Sequence, residues 1–137
     1  MSARNIVFSR VGQVHLAVLG TSSPTDEEWA AFVTDVTGSF GSVTGVVVQT
    51  AGGRPSADQR RQVTEVWRAA DDPPKFALMT ESRLIRGMVE TLKVFLGDTV
   101  AAFAFDDFEG SAVHVRLGAQ DAAMLREAAS RLRGQLG

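Results

Sequence analysis

Apolar residues fall along this chain in short runs parted by glycine, proline and small polar residues, and the stretch from Lys75 to Phe105 holds the clearest set. Phe76, Ala77, Leu78 and Met79 follow the breaker pair Pro73 and Pro74, which predicts a strand buried on both faces. Successive residues sit about 100° apart on a helical wheel, so Leu84, Ile85, Met88, Val89, Leu92, Phe95 and Leu96 share an arc of roughly 140°. Arg83, Arg86, Glu90 and Lys93 fall opposite, with Val94 the one apolar residue among them. Such an arc suits a helix covering a sheet. Thr80 and Ser82 are its candidate N-caps, and Gly97 with Asp98 ends it. Val100 to Phe105 is apolar again, a second buried strand reached through a right-handed crossover.

The same reading extends outward in both directions. Asn5 to Ser9 and Gln13 to Leu19 are β-rich runs around Gly12, the mark of an antiparallel hairpin. A first helix starts at the Thr25/Glu28 capping-box pair, with Ser23 and Pro24 as a competing start, and buries Trp29, Phe32, Val33 and Val36 before Gly38 and Gly41. Ser42 to Gln49 is a strand around Val46, Val47 and Val48. Ser56 and Gln59 form a second capping box, and Val63, Val66, Trp67 and Ala70 mark the buried stripe of the second helix. Past Phe105 two patterns compete. Val113, Val115 and Leu117 alternate like a strand, while Phe108, Ala112 and Val115 fit a helical stripe; the Asp106/Glu109 pair favours a helix ending at Gly118. A last helix spans 120–136, with Met124, Leu125, Ala128, Leu132 and Leu136 on one face.

Composition narrows the function classes. The 137 residues form one domain by length. With 14 basic and 16 acidic side chains the net charge is −2, so no global field draws the chain to nucleic acid or an anionic membrane. Cysteine is absent, which removes disulfides, thiolate catalysis and cysteine-bound metal. Ser9, Arg10, Gly12 and Gln13 interrupt the apolar start, so a signal peptide is not expected, and no run approaches a membrane span. The expected location is cytoplasmic, with peripheral membrane association left open.

Candidate chemistry is sparse. Ser56 is the nearest residue to a phosphoacceptor, with Thr50 behind it, and each has an ordinary reading as cap or turn. The loops Gly20–Ser23 and Gly52–Ser56, the second carrying Arg54, are candidate anion holders in front of helices, without Walker or GxGxxG spacing. His15 and His114 lack ligand-type spacing, so no metal site is expected. His15 is expected in a strand, partly buried with its hydrogen bonds met. Neither a catalytic constellation nor a cofactor motif is present.

The segment FALMTESRLIRGMVETLKVFLGDTVAAFAFDDFEGSA, with Thr80 at a strand end, the Ile85–Arg86 pair, Phe95 near the helix end and the acidic turn Asp106, Asp107, Glu109, resembles the STAS-like (SpoIIAA-like) family. Residue pattern carries this over 75–112 and element order over 5–117. The resemblance implies a mixed sheet of four or five strands with helices covering one face, acting as a non-catalytic regulatory or sensing module. The Asp-Ser-Ser/Thr-Gly switch motif of the phosphorylated members is absent; Gln49 to Ser56 stands there instead. Some relatives resemble apolar-ligand domains with a groove between the second and third helices. Here that groove would be lined by Val63, Trp67, Met88, Leu92 and Phe95, with Arg83 and Arg86 near its mouth, and the sheet is expected to take most of the helix-three face. The expected occupant is a protein partner or a small apolar or lipid-like ligand. The alternative is a small enzyme or carrier holding an anionic molecule at the two glycine-containing loops. A third reading is a homo-oligomer joined through the final helix at Leu132 and Leu136.

Overall fold

The computed structural model describes residues 4–137. Its elements are β1 (Ile6–Val11), β2 (Val14–Leu19), α1 (Asp26–Gly38), β3 (Gly45–Thr50), α2 (Ala57–Ala69), β4 (Lys75–Met79), α3 (Arg83–Leu96), β5 (Val100–Phe103), α4 (Phe108–His114) and α5 (Ala122–Arg133). The chain is thus an α/β fold on a mixed five-stranded sheet, antiparallel between β1 and β2 and parallel elsewhere.

Local chemistry accounts for most element ends. Val11 pairs with Val14, so Gly12 and Gln13 alone make the hairpin turn. Gly12 stands at φ 60°, the conformation that so tight a turn demands. Both expected capping boxes form, Thr25 with Glu28 and Ser56 with Gln59. The α3 cap is Ser82, whose Oγ accepts from the Ile85 N–H, while the Thr80 hydroxyl accepts from the Ser82 N–H one step earlier.

The region after β5 departs from expectation in three places. The strand stops at Phe103, two residues early, and the Phe105 N–H turns away from the sheet to the Glu81 carboxylate. The α4 cap is Asp107, accepting from the Gly110 N–H, instead of Asp106 with Glu109. The helical reading of this region holds, but the helix ends at His114 and not at Gly118. Arg116 takes the left-handed position at φ 68°, and the Leu117 N–H closes back on the Ala112 carbonyl, the Schellman arrangement normally built on glycine. The final helix is likewise shorter than 120–136, with a 3₁₀ turn at Ala119–Asp121 before it.

Sheet order decides which helix covers which face. The strands lie in the order β1-β2-β3-β4-β5, so each crossover steps to its neighbour in one direction. Right-handed connections stepping one way must place all their helices on one side. Leu19, Val46 and Val48 accordingly meet Trp29, Phe32, Val36 and Trp67 from α1 and α2. The opposite face, with Leu16, Val18, Val47, Ala77 and Met79, is closed by Phe108 and Ala112 of α4 and by Leu125, Ala128 and Leu132 of α5.

Two expectations are corrected here. Helices cover both faces of the sheet, not one, which is why β2 and β3 are buried along their whole length. The last helix is also part of the core. Leu132 is buried against the chain's own sheet and so is not free to form the oligomer contact assigned to it, while Leu136 packs on the same cluster and stays partly exposed. Arg133 pins the end of α5, donating from Nε to Gln49 Oε1 at 2.9 Å with its guanidinium over the Phe105 ring. Burial lowers its pKa from the ordinary arginine value.

Two predictions follow from this packing. A Cβ on Gly45 would overlap the Val115 side chain, where the end of α4 lies against the start of β3. Gly45→Ala should therefore destabilise the protein by about 1–3 kcal/mol in urea unfolding, and adding Val115→Ala should recover part of that loss; strictly additive effects would refute the close approach. The second concerns Glu28, which ties α1 to β1. Burial works against its ionisation, but the backbone N–H groups of Thr25 and Asn5 and the Asn5 amide outweigh that and lower its pKa to about 2. Because the folded value lies below the unfolded one, its stabilisation is present above pH of about 4.5 and fades toward about 2. The Glu28→Gln variant should show a flatter loss of stability across that acid window, and a slope identical to the parent would count against the assignment.

Candidate functional site

The face covered by α1, α2 and α3 is incompletely filled. Between α2 and α3 lies an apolar slot of about 60 Å³. Leu19, Val48, Phe76 and Leu78 rise from alternate positions of β2, β3 and β4 to form its floor, and Trp29 of α1 closes one end. Val63 forms the α2 wall; Ile85, Met88, Val89 and Leu92 form the α3 wall. The α2 wall ends in Arg60, which also lines a shallower groove of about 290 Å³ outside the slot. That outer groove continues along Ala57, Arg61, Thr64, Arg68, Leu92 and Phe95.

The slot exists because the apolar arc of α3 is wider than the sheet beneath it. Only Ile85 and Val89 are fully buried. Leu84 and Phe95 lie close together on the helical wheel at the α2-facing margin of the arc, and both are 57% exposed; Val94, on the polar side, is 79% exposed. The expectation that the sheet would take most of this face is thus not met, because β5, the strand nearest α3, is only 4 residues long and offers that side just Val100 and the small Ala102.

The residues singled out from sequence separate into three sets. Val63, Met88 and Leu92 come together in the slot, and Thr50, from the loop set, joins them at its floor with Gly53 and Pro55. Phe95 lies outside, in the shallow groove, with the Arg68 guanidinium 5.7 Å from its ring centre. Trp67, Arg83 and Arg86 are not brought to the groove. Trp67 is buried between Phe40 and Phe76 with its Nε1–H on the Pro74 carbonyl. Arg86 donates from Nε and Nη2 to the Thr80 carbonyl, tying α3 to the end of β4. Arg83 is exposed at the α3 start. The cation at the mouth is Arg60 instead; it lies within about 60° of Val63 on the α2 wheel, a signal that scoring only apolar positions overlooks.

The two glycine-containing loops adjoin each other, and their contact engages several of the N–H groups an anion would need. The Gly53 N–H donates to the Gly20 carbonyl at 2.9 Å and the Gly52 N–H to the Thr50 hydroxyl at 3.2 Å. Thr50 Oγ1 in turn donates to the Gly53 carbonyl. A Cβ on Gly53 would overlap the Ser22 carbonyl oxygen, so a side chain there would part the loops. Ser56 Oγ accepts from the Gln59 N–H while its own N–H is held by Gln59 Oε1. Gln59 itself is buried, bridging to the Pro24 carbonyl and the Asp26 carboxylate, and its carbonyl receives the Trp29 indole N–H.

The histidines lie on opposite faces of the sheet. His15 is fully buried against Phe8 and Phe32, with Nε2 on the Asp35 carboxylate and, among the described residues, no partner for Nδ1, in place of the partly buried, satisfied state expected for it. His114 meets the Thr99 carbonyl at 3.1 Å. Among the described residues no group of three or more His, Asp and Glu side chains is arranged to hold a metal ion, and no helix is long and apolar enough to cross a membrane.

No family model matches the chain, and neither do the curated proteins or solved structures with which it was compared. The geometry of the α2–α3 slot therefore carries the functional argument by itself.

One prediction tests the loop pair. With the Gly52, Gly53 and Ser56 N–H groups already engaged, adding inorganic phosphate should leave the melting temperature no higher than an equal ionic strength of chloride does. Arg54→Ala, at an exposed position, should change stability by no more than about 0.5 kcal/mol. A phosphate-specific rise in melting temperature that Arg54→Ala removes would restore the anion-holding reading.

Proposed function

We propose that this protein is a STAS-like, non-catalytic sensing module whose working site is the apolar slot between α2 and α3, and that it takes up the aliphatic part of a small ligand there. The observation that carries the reading is the slot: an unfilled opening in the core, lined almost throughout by apolar side chains. Interiors pack densely, and an apolar void forfeits contacts that a guest would restore. The wall residues that stay partly accessible, Val63, Met88 and Leu92, are those a guest would cover. Element order, with the hairpin first and Thr80, Ile85, Arg86 and Phe95 in their expected elements, supports the family reading; helices on both faces depart from what that resemblance implies. The engaged Gly52, Gly53 and Ser56 N–H groups weigh against the carrier or enzyme alternative.

The reading is tested with octanol as the guest and the methyl groups as reporters. In methyl-resolved NMR, the Met88, Val63 and Val89 signals should shift saturably as octanol is added, while methyls across the sheet, such as Leu125 and Val47, stay in place. Leu92→Asp should abolish those shifts with the unfolding midpoint still measurable and cooperative, since Leu92 is only half-buried. Shifts that are absent in the parent, or that persist unchanged in the folded variant, would overturn it.

A further inference from the structure

The two sides of the α2–α3 groove differ in chemistry, and the difference specifies the ligand more narrowly than the slot alone. The α3 side is an apolar line running through Met88 and Leu92 to the exposed Phe95. The α2 side is basic, with Arg60, Arg61 and Arg68 on the outer groove. Together the two helices carry six basic and three acidic residues, although the whole chain has a net charge of −2. Two of the acidic groups are already matched, Asp58 to Arg61 and Glu90 to Lys93. Of the basic residues here only Arg60 lines both the slot and the outer groove, and it is held in place by donating from Nη1 to the Pro55 carbonyl at 3.0 Å. Among the described residues its Nε–H and Nη2 groups meet no protein acceptor, which leaves them to a ligand.

Resting on the slot reading above, we infer that the ligand is a free aliphatic carboxylate, its chain end in the slot and its carboxylate on Arg60. The volume selects a narrow guest. A benzene ring occupies an engineered cavity of about 150 Å³, whereas the slot offers about 60 Å³, enough for the end of an unbranched chain whose remaining methylenes lie over Leu92. The charge selects the head. A guanidinium with two free donors pairs with a carboxylate through charge-assisted hydrogen bonds, and an ammonium head at the same place would meet a fixed cation. A bilayer does not satisfy the same geometry, because the mouth is a recess between two helices and the chain end must leave the lipid to enter it.

Three ligands of equal chain length separate the parts of this inference: octanoate, octanol and octylammonium, each titrated into the whole protein by calorimetry and methyl NMR below their aggregation concentrations. Octanoate should bind roughly tenfold or more tightly than octanol, as expected for a hydrogen bond to a charged group, and octylammonium most weakly. Arg60→Gln should bring octanoate down to the octanol value and leave octanol unchanged. A variant-free check accompanies it: raising the salt concentration should weaken octanoate and spare octanol. Equal binding of octanoate and octanol at low salt overturns the carboxylate assignment while the slot reading stands. Failure of all three to bind overturns both. Octanoate binding that survives Arg60→Gln intact also overturns the role of Arg60.

Discussion

Handedness is the constraint on which this architecture depends. Once β2, β3, β4 and β5 are laid down in a single direction across the sheet, right-handed crossovers leave α1, α2 and α3 no choice of side. The other side of four apolar strands is then bare, and only chain beyond the last strand is free to cover it. Leu125, Ala128 and Leu132 of α5 meet that need, which explains why a helix that pairs with no crossover is among the most deeply buried in the protein. The same constraint crowds three helices over one face, and the imperfect fit of the third leaves the slot.

Much of the fold was readable because sequence signals and packing agree. Continuous runs such as Val46 to Val48 and Phe76 to Met79 announce strands with both faces covered, and the Thr25/Glu28 and Ser56/Gln59 pairs fix two helix starts through local hydrogen bonds alone. What could not be read were features set by distant parts of the chain. The side on which α5 packs follows from strand order, which no local pattern encodes. The end of α4 rests on an arginine in a conformation usually left to glycine, so attention to Gly118 misplaced it by one turn. For the site, the family resemblance suggested a groove between α2 and α3 and two amphipathic stripes supplied Val63, Met88 and Leu92 for its walls, whereas the strand residues beneath them needed the sheet register. Trp67 was misassigned for a related reason: a stripe shows which side faces inward, and not whether the residue lies at the rim of a groove or under it.

The arrangement around Thr50 and Gly53 joins the slot to the loops between strand and helix. Thr50 contributes to the slot floor and its hydroxyl is tied to the Gly53 carbonyl, while the Gly53 N–H is tied to Gly20. Gln59 and Trp29 extend the same set of hydrogen bonds to the starts of α1 and α2. Apolar recess and polar brace are therefore adjacent parts of one region, the first offering space and the second holding the helix starts that frame it. A network in which buried polar groups are matched resists deformation, and this one surrounds a place where the packing is incomplete.

The burial of α5 also bears on how the molecule comes into being. During synthesis the strands emerge first, and by the time β5 is complete one face of the sheet has its three helices while Leu16, Val18, Val47 and Met79 on the other have none. A nascent chain in that state presents a broad greasy surface, the sort of intermediate that invites chaperones or misassociation. Contacts between β2 and α5 join elements about a hundred residues apart in sequence, and long-range pairing of this type slows folding. Completion of the domain thus waits on its most C-terminal helix, and a messenger truncated shortly before Ala122 would specify five strands and no finished protein.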